Sequence, residues 1–115
     1  MKVMDRKEAD DVTALVRAIE PAGRAGIELQ MLIARVQLPS SRIERLLRRH
    51  SDYFVQIADQ SRFALNRFRK FRGSAELIVA DVEQSYQRFA KMQLVGTILL
   101  VTSVLLTCGS YLLFG

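Results

Sequence analysis

The last charged residue of this 115-residue chain is Lys91, and the 24 positions after it hold no Asp, Glu, Lys or Arg. A quarter of the chain is charged. An uncharged run of this length would therefore arise by chance about once in a thousand. From Met92 to Phe114 there are 23 residues, 15 of them hydrophobic; the rest are Gln93, Gly96, Thr97, Thr102, Ser103, Thr107, Gly109 and Ser110. As a helix this segment is about 35 Å long, enough to cross a hydrocarbon layer of about 30 Å. The Ser and Thr hydroxyls can bond back to the helix carbonyls. A soluble protein with 91 other residues could hardly wrap a helix that is apolar on every side, so residues 92–114 are expected to form a transmembrane helix. Arg88 and Lys91 flank it on one side and only Gly115 follows. The positive-inside bias then places the N-terminal part in the cytoplasm, as a single-pass, tail-anchored membrane protein.

The span leaves residues 1–91 for one small soluble fold. Cys108 is the single cysteine and lies in the apolar run, so a cystine-stapled secreted fold is excluded. His50 is the single histidine. No metal-ligand spacing, Gly-rich phosphate loop or Ser-His-Asp set is legible, so neither an enzyme nor a cofactor is expected. The N-terminus is charged and lacks the apolar stretch of a signal peptide.

Three helices follow from apolar spacing. Residues 5–20 carry Val12, Leu15, Val16 and Ile19, and Pro21 ends the repeat. Gly23 and Gly26 break the chain before a short apolar step at Ile27. A second stripe holds Leu29, Leu32, Ile33 and Val36, and a turn at Gln37-Leu38-Pro39-Ser40 follows. The third helix shows Ile43, Leu46, Leu47 and His50 on its apolar face, with Ser40 or Ser41 expected as its cap and Ser41 with Glu44 as a capping box. His50, at its end, is read as a core-edge residue. Two β-type runs, 53–57 and 62–66, surround a short polar turn and make a hairpin.

Helix, short strand, helix, tight turn, helix, hairpin is the order of the winged helix-turn-helix superfamily, which residues 5–67 resemble in both order and lengths. The short turn holding Pro39 and the hairpin approached through His50-Ser51-Asp52-Tyr53-Phe54 carry the resemblance. The expected fold is mainly α with a small β-hairpin. A winged domain (1–67) leads through a basic-aromatic connector (68–73) and a juxtamembrane amphipathic helix (74–91) into the transmembrane helix (92–114). The resemblance implies a third helix that enters the DNA major groove and a wing that touches the backbone.

Charge is consistent with that implication. Residues 35–73 hold ten basic positions against three acidic ones. Arg42, Arg45 and Arg49 recur along one line of the third helix, opposite its apolar face. With Arg48 they are the expected groove and phosphate contacts, while Arg62, Arg67, Arg69 and Lys70 are expected to hold flanking backbone. The bland alternative stays open: arginines opposite an apolar stripe also mark any solvated helix face, and winged helices also bind proteins. The connector Arg67-Phe68-Arg69-Lys70-Phe71-Arg72-Gly73 alternates charge with Phe. It suits nucleic-acid backbone or anionic headgroups, or else it closes the hairpin with Phe68 tucked under the domain. Eighteen residues from Ser74 to Lys91 make about 27 Å of upright helix, which keeps the connector away from lipid.

No proline follows Ser74, so one helix is expected from there through the span, with Ser74 as cap. One stripe runs along it through Val79, Val82, Tyr86, Phe89, Gly96, Ser103, Thr107 and Ser110. It is mostly apolar before the membrane, as a coiled-coil seam requires, and small or hydroxylated within it, as close membrane-helix packing prefers. Parallel self-association as a dimer or higher oligomer is one reading. The others are packing on the chain's own domain or on lipid, and contact with a partner protein in the membrane. The expected function is non-catalytic: a membrane-anchored winged-helix protein binding nucleic acid, most simply double-stranded DNA. Its alternatives are a membrane-anchored protein-interaction module and a small membrane-perturbing effector whose winged domain senses a nucleic acid or partner.

Overall fold

The computed structural model describes the backbone of residues 2–57 and 61–114 and the side chains through residue 106. The chain is mainly helical with one small antiparallel sheet and a long C-terminal helix. Helix α1 is Arg6–Ile19. It starts where the Asp5 carboxylate accepts a hydrogen bond from the Glu8 amide at 2.8 Å, tying down one of the four amides a helix start leaves open. The α-helix stops at Ile19, and Glu20–Ala25 continues as a 3₁₀ segment with Pro21 in its first turn. Strand β1 (Ile27–Glu28), helix α2 (Leu29–Val36) and helix α3 (Ser40–Arg49) follow. The expected capping box on α3 does not form. Pro39 occupies the cap position, and no side chain caps the helix.

Strands β2 (Phe54–Gln56) and β3 (Arg62–Leu65) pair antiparallel with Val55 opposite Ala64, and β1 pairs with the far edge of β3, giving the order β1-β3-β2. Gly26 makes that close approach possible. At φ +75° an added Cβ would lie 2.5 Å from Ile57 Cδ1 and 2.9 Å from the Phe63 carbonyl oxygen, space only glycine leaves free. Of the expected hairpin tip, 58–61, residues 58–60 lie outside the described residues.

Helix α4 is Ala75–Phe114, about 60 Å long at the α-helical rise. The Leu77 amide donates to Ser74 Oγ at 3.3 Å, so Ser74 is its cap. The first turns of α4 belong to the domain. Ala75, Ile78, Val82 and Ser85 are buried in the core that Val12, Leu15, Val16 and Ile19 of α1 also build, together with Leu32, Ile43, Leu46 and Tyr53. The two helices run antiparallel: the Met4 amide meets the Ser85 carbonyl at 3.3 Å, and Arg17 pairs with Glu76 at 2.9 Å at the other end. Arg88 donates to the Lys2 carbonyl at 3.3 Å, only about 6 Å of helix before Met92. The domain therefore reaches down to the base of the apolar run.

Beyond that point, every described side chain of α4, residues 91–106, is exposed. It is long and apolar enough to cross a membrane by length and composition, and none of its most apolar stretch is buried. Met92, Leu94, Val95, Ile98 to Val101 and Val104 to Leu106 all stand open. A continuous apolar surface of this kind is rare on a water-exposed helix.

Candidate nucleic-acid interface

Residues 43, 46, 47 and 50 of α3 and its C-cap face the core, so the exposed arc centres on Ser41, Arg45 and Arg48. Both arginines are solvent-exposed and have no carboxylate partner among the described residues. The other two predicted contacts on α3 lie on its flank against α1. Arg42 is half-buried and pairs with Asp11 at 2.6 Å, and Arg49 reaches Glu8 at 3.3 Å. The line Arg42, Arg45, Arg49 thus borders an acidic edge of α1, and two of its three charges are locally neutralised. The sequence signal was there: Glu8 and Asp11 sit one turn apart beside the Val12 stripe.

Glu8 is a hub. It also accepts from His50 Nε2 at 3.2 Å, deep in the fold, while His50 stacks on Tyr53 with ring centroids 5.5 Å apart. His50 is 2% exposed, and its Nδ1 has no hydrogen-bond partner among the described residues. A neutral imidazole, with the proton on Nε2 and a bare lone pair on Nδ1, fits this arrangement. Burial holds the imidazole below its usual range; the Lys2 ammonium adds to that, while Glu8 and Asp52 oppose it. Tyr53 donates its hydroxyl to Asp81 of α4, and burial, then that bond, pushes the phenol far above its usual range. Lys2 sits 3.7 Å over the Tyr53 ring and pairs with Asp52 at 2.6 Å. These groups tie the N-terminus, α3 and α4 together. Among the described residues no His, Cys, Asp and Glu group could hold a metal ion.

Arg62 lies on β3 and is shared with β1, donating to Glu28 at 3.5 Å and to the Ala25 carbonyl at 3.5 Å. The remaining predicted contacts, Arg67, Arg69 and Lys70, are exposed on the connector together with Arg72, and none meets a carboxylate among the described residues. The connector is not a strand. It is a folded loop in which Phe71 turns inward against Tyr53, with ring centroids 5.3 Å apart, while Phe68 is 89% exposed. The aromatic tucked under the domain is therefore Phe71 and not Phe68. On α3 and the connector the free cations thus form two groups, Arg45 with Arg48 and the four of the connector, while Lys7, Arg24 and Arg35 are exposed elsewhere without a carboxylate partner among the described residues. The structure does not bring these two groups into contact.

The self-association stripe is placed differently from the expected coiled-coil seam. Val82 is 1% exposed and Val79 and Tyr86 are partly buried, all against the chain's own domain. Arg6 lies 4.3 Å over the Tyr86 ring, and Phe89 is half-buried. One chain's α1 already occupies this side of α4, because burying it there costs no association entropy. Gly96 is open, with nothing within 4 Å of an added Cβ. Ser103 lies on the same apolar helix, while the side chains of Thr107 and Ser110 are outside the described residues. Comparison with protein-family models, curated proteins and solved structures found no match for this chain.

Proposed function

We propose that this chain is a single-pass membrane protein whose cytoplasmic winged-helix domain binds nucleic acid, most simply duplex DNA, without chemistry of its own. The observation that carries the reading is six exposed cations, Arg45, Arg48, Arg67, Arg69, Lys70 and Arg72, with no carboxylate partner among the described residues, on a domain fused to an uncharged helix. Six other basic side chains, Lys2, Arg6, Arg17, Arg42, Arg49 and Arg62, each meet an acid, whereas Lys7, Arg24 and Arg35 are exposed away from α3 and the connector without one among the described residues. Unpaired guanidiniums suit phosphate and guanine edges. The element order and the sheet order β1-β3-β2 support the winged-helix assignment, with α3 as the helix presented to a groove. Arg88 and Lys91 beside the span support the cytoplasmic orientation.

A tether at the bilayer confines the domain to a thin layer and raises its local concentration there. The packing of α4 down to Arg88 seats the domain directly on that layer rather than on a stalk. Arg45→Ala combined with Arg48→Ala tests the reading. Duplex affinity should fall at least tenfold at moderate salt, and the slope of log K against log salt should shrink by about 2, at about 0.9 per lost phosphate contact. Binding that is indifferent to both arginines and to salt would refute it. The pairing of Arg42 and Arg49 with α1 favours a second reading, a domain that docks a protein through a smaller basic face. A stable partner captured in nuclease-treated extract, with no nucleic-acid affinity, would support that reading.

A further inference from the structure

The connector and one face of the sheet form a groove of about 530 Å³ lined by Val55, Ile57 and Ala64, by Arg67 and Phe68 of the connector, and by Arg24. Resting on the nucleic-acid reading above, we infer that this groove is a subsite for an unpaired nucleotide, with Phe68 as the stacking surface for its base and Arg24 and Arg67 as its phosphate contacts.

The loop that holds Phe68 is built, not loose. The buried Asn66 donates its side-chain amide to the Ser51 carbonyl at 2.9 Å and accepts from the Phe68 amide at 2.9 Å, while its own carbonyl accepts from Gly73 at 2.9 Å. Arg72 donates its amide to the Arg69 carbonyl at 3.0 Å, and Ser74 to that of Phe71 at 2.8 Å. At Gly73, with φ +75°, an added Cβ would lie 2.9 Å from Arg67 Cγ, so glycine lets the loop close over the Arg67 stem. Five backbone and side-chain bonds thus hold one aromatic ring outward at 89% exposure, while its neighbour Phe71 is buried. An ordered loop that spends its hydrogen bonds presenting a phenyl ring to water leaves that ring's face for a flat, apolar partner.

Charge selects which partner. Arg24 and Arg67 line the groove, and Arg69, Lys70 and Arg72 follow on the same connector; all five are exposed and have no carboxylate partner among the described residues. Anionic backbone beside a π-face is the chemistry of single-stranded nucleic acid, where aromatic side chains stack with bases and a positive groove tracks the phosphates. Duplex bases are stacked on each other and cannot offer a face to Phe68, so the subsite distinguishes single strands, loops or frayed ends from intact duplex. The connector that carries Phe68 leads into α4, whose first residue, Ala75, is about 24 Å of helix from Lys91.

The test uses the full chain in nanodiscs of zwitterionic lipid, with unstructured oligothymidylate and a blunt duplex as separate probes. Phe68→Ala, a change at an exposed ring, should weaken oligothymidylate binding about tenfold or more and leave duplex affinity within about twofold. Phe68→Trp should retain binding, and because the chain has no other tryptophan its emission should be quenched on adding the single strand. Unchanged single-strand affinity in Phe68→Ala, or an unresponsive indole, overturns the subsite while duplex binding through Arg45 and Arg48 still stands. Failure of the wild-type chain to bind either probe overturns the nucleic-acid reading itself. Quenching by an acidic apolar peptide and not by oligothymidylate would reassign the groove to a protein partner.

Discussion

Replacing Ile78 tests the claim that α4 is a wall of the domain and not a stalk below it. Ile78 is 0% exposed, between Ala75 at 4% and Val82 at 1% on the same face. Ile→Ala at a fully buried site removes three methyl or methylene groups and leaves a cavity, at a cost of about 2–5 kcal/mol. A domain of this size is stabilised by about 5–13 kcal/mol in all. A loss near the middle of the range, about 3 kcal/mol, should lower the unfolding midpoint by about 12–24 °C. Near-ultraviolet circular dichroism of the tyrosines in detergent micelles reports domain packing separately from the apolar half of α4, which stays helical in detergent. Leu77→Ala, one position away at 52% exposed, should cost under about 0.5 kcal/mol. Burial within one chain also makes the Ile78→Ala loss independent of protein concentration. If the two variants were equal, or if the loss shrank as concentration rose, the buried face would belong to an interface between chains and the packing described here would be refuted.

Three further outcomes are expected. The unfolded chain binds a proton near pH 6.5 that the buried His50 refuses because its folded pKa is lowered, so stability should be full above that pH and fall as pH drops through it. Comparing thermal midpoints at pH 7.5 and 5.5 should show this fall in the wild type and a smaller one in His50→Gln; equal falls would remove His50 as its source. Tyr53→Phe strips the Asp81 carboxylate of its phenolic donor and should cost about 1.5–3 kcal/mol by denaturant titration, whereas a neutral result would mean that the bond contributes nothing. In a Cys108→Ser background, Gly96→Cys should cross-link between chains in membranes if the small-residue stripe pairs, while Val82→Cys should not; efficient linking at position 82 would show that α1 does not cover it.

Much of the architecture was legible because apolar periodicity is local. The stripes of α1, α2 and α3, the hairpin around 58–61 and the helix from Ser74 each follow from neighbours a few residues apart. The cap of α3 was misread because a Ser-x-x-Glu pattern competes with Pro39, whose fixed φ already suits a helix start. Which connector ring packs under the domain is not legible in the sequence, because Phe68 and Phe71 are chemically identical. The ring that turns inward is the one that meets Tyr53, in a loop that Asn66 ties to Ser51 fifteen positions earlier.

The candidate site shows the same division more sharply. Arg42, Arg45, Arg48 and Arg49 are indistinguishable as letters on one helix, yet α1 neutralises the first and last through Asp11 and Glu8 and leaves the middle two open. Charge count and helix face are properties of the chain, while charge availability depends on which element packs alongside. The apolar stripe on the first turns of α4 is equally ambiguous in one dimension, since a second copy and the chain's own α1 offer the same burial. The sequence by itself determined that a basic helical domain precedes an uncharged helix long enough for a bilayer, because composition and periodicity need no partner to be read. Tertiary structure alone decided which arginines stay free, which phenylalanine faces water and what covers Val82, because each depends on contacts between residues distant along the chain.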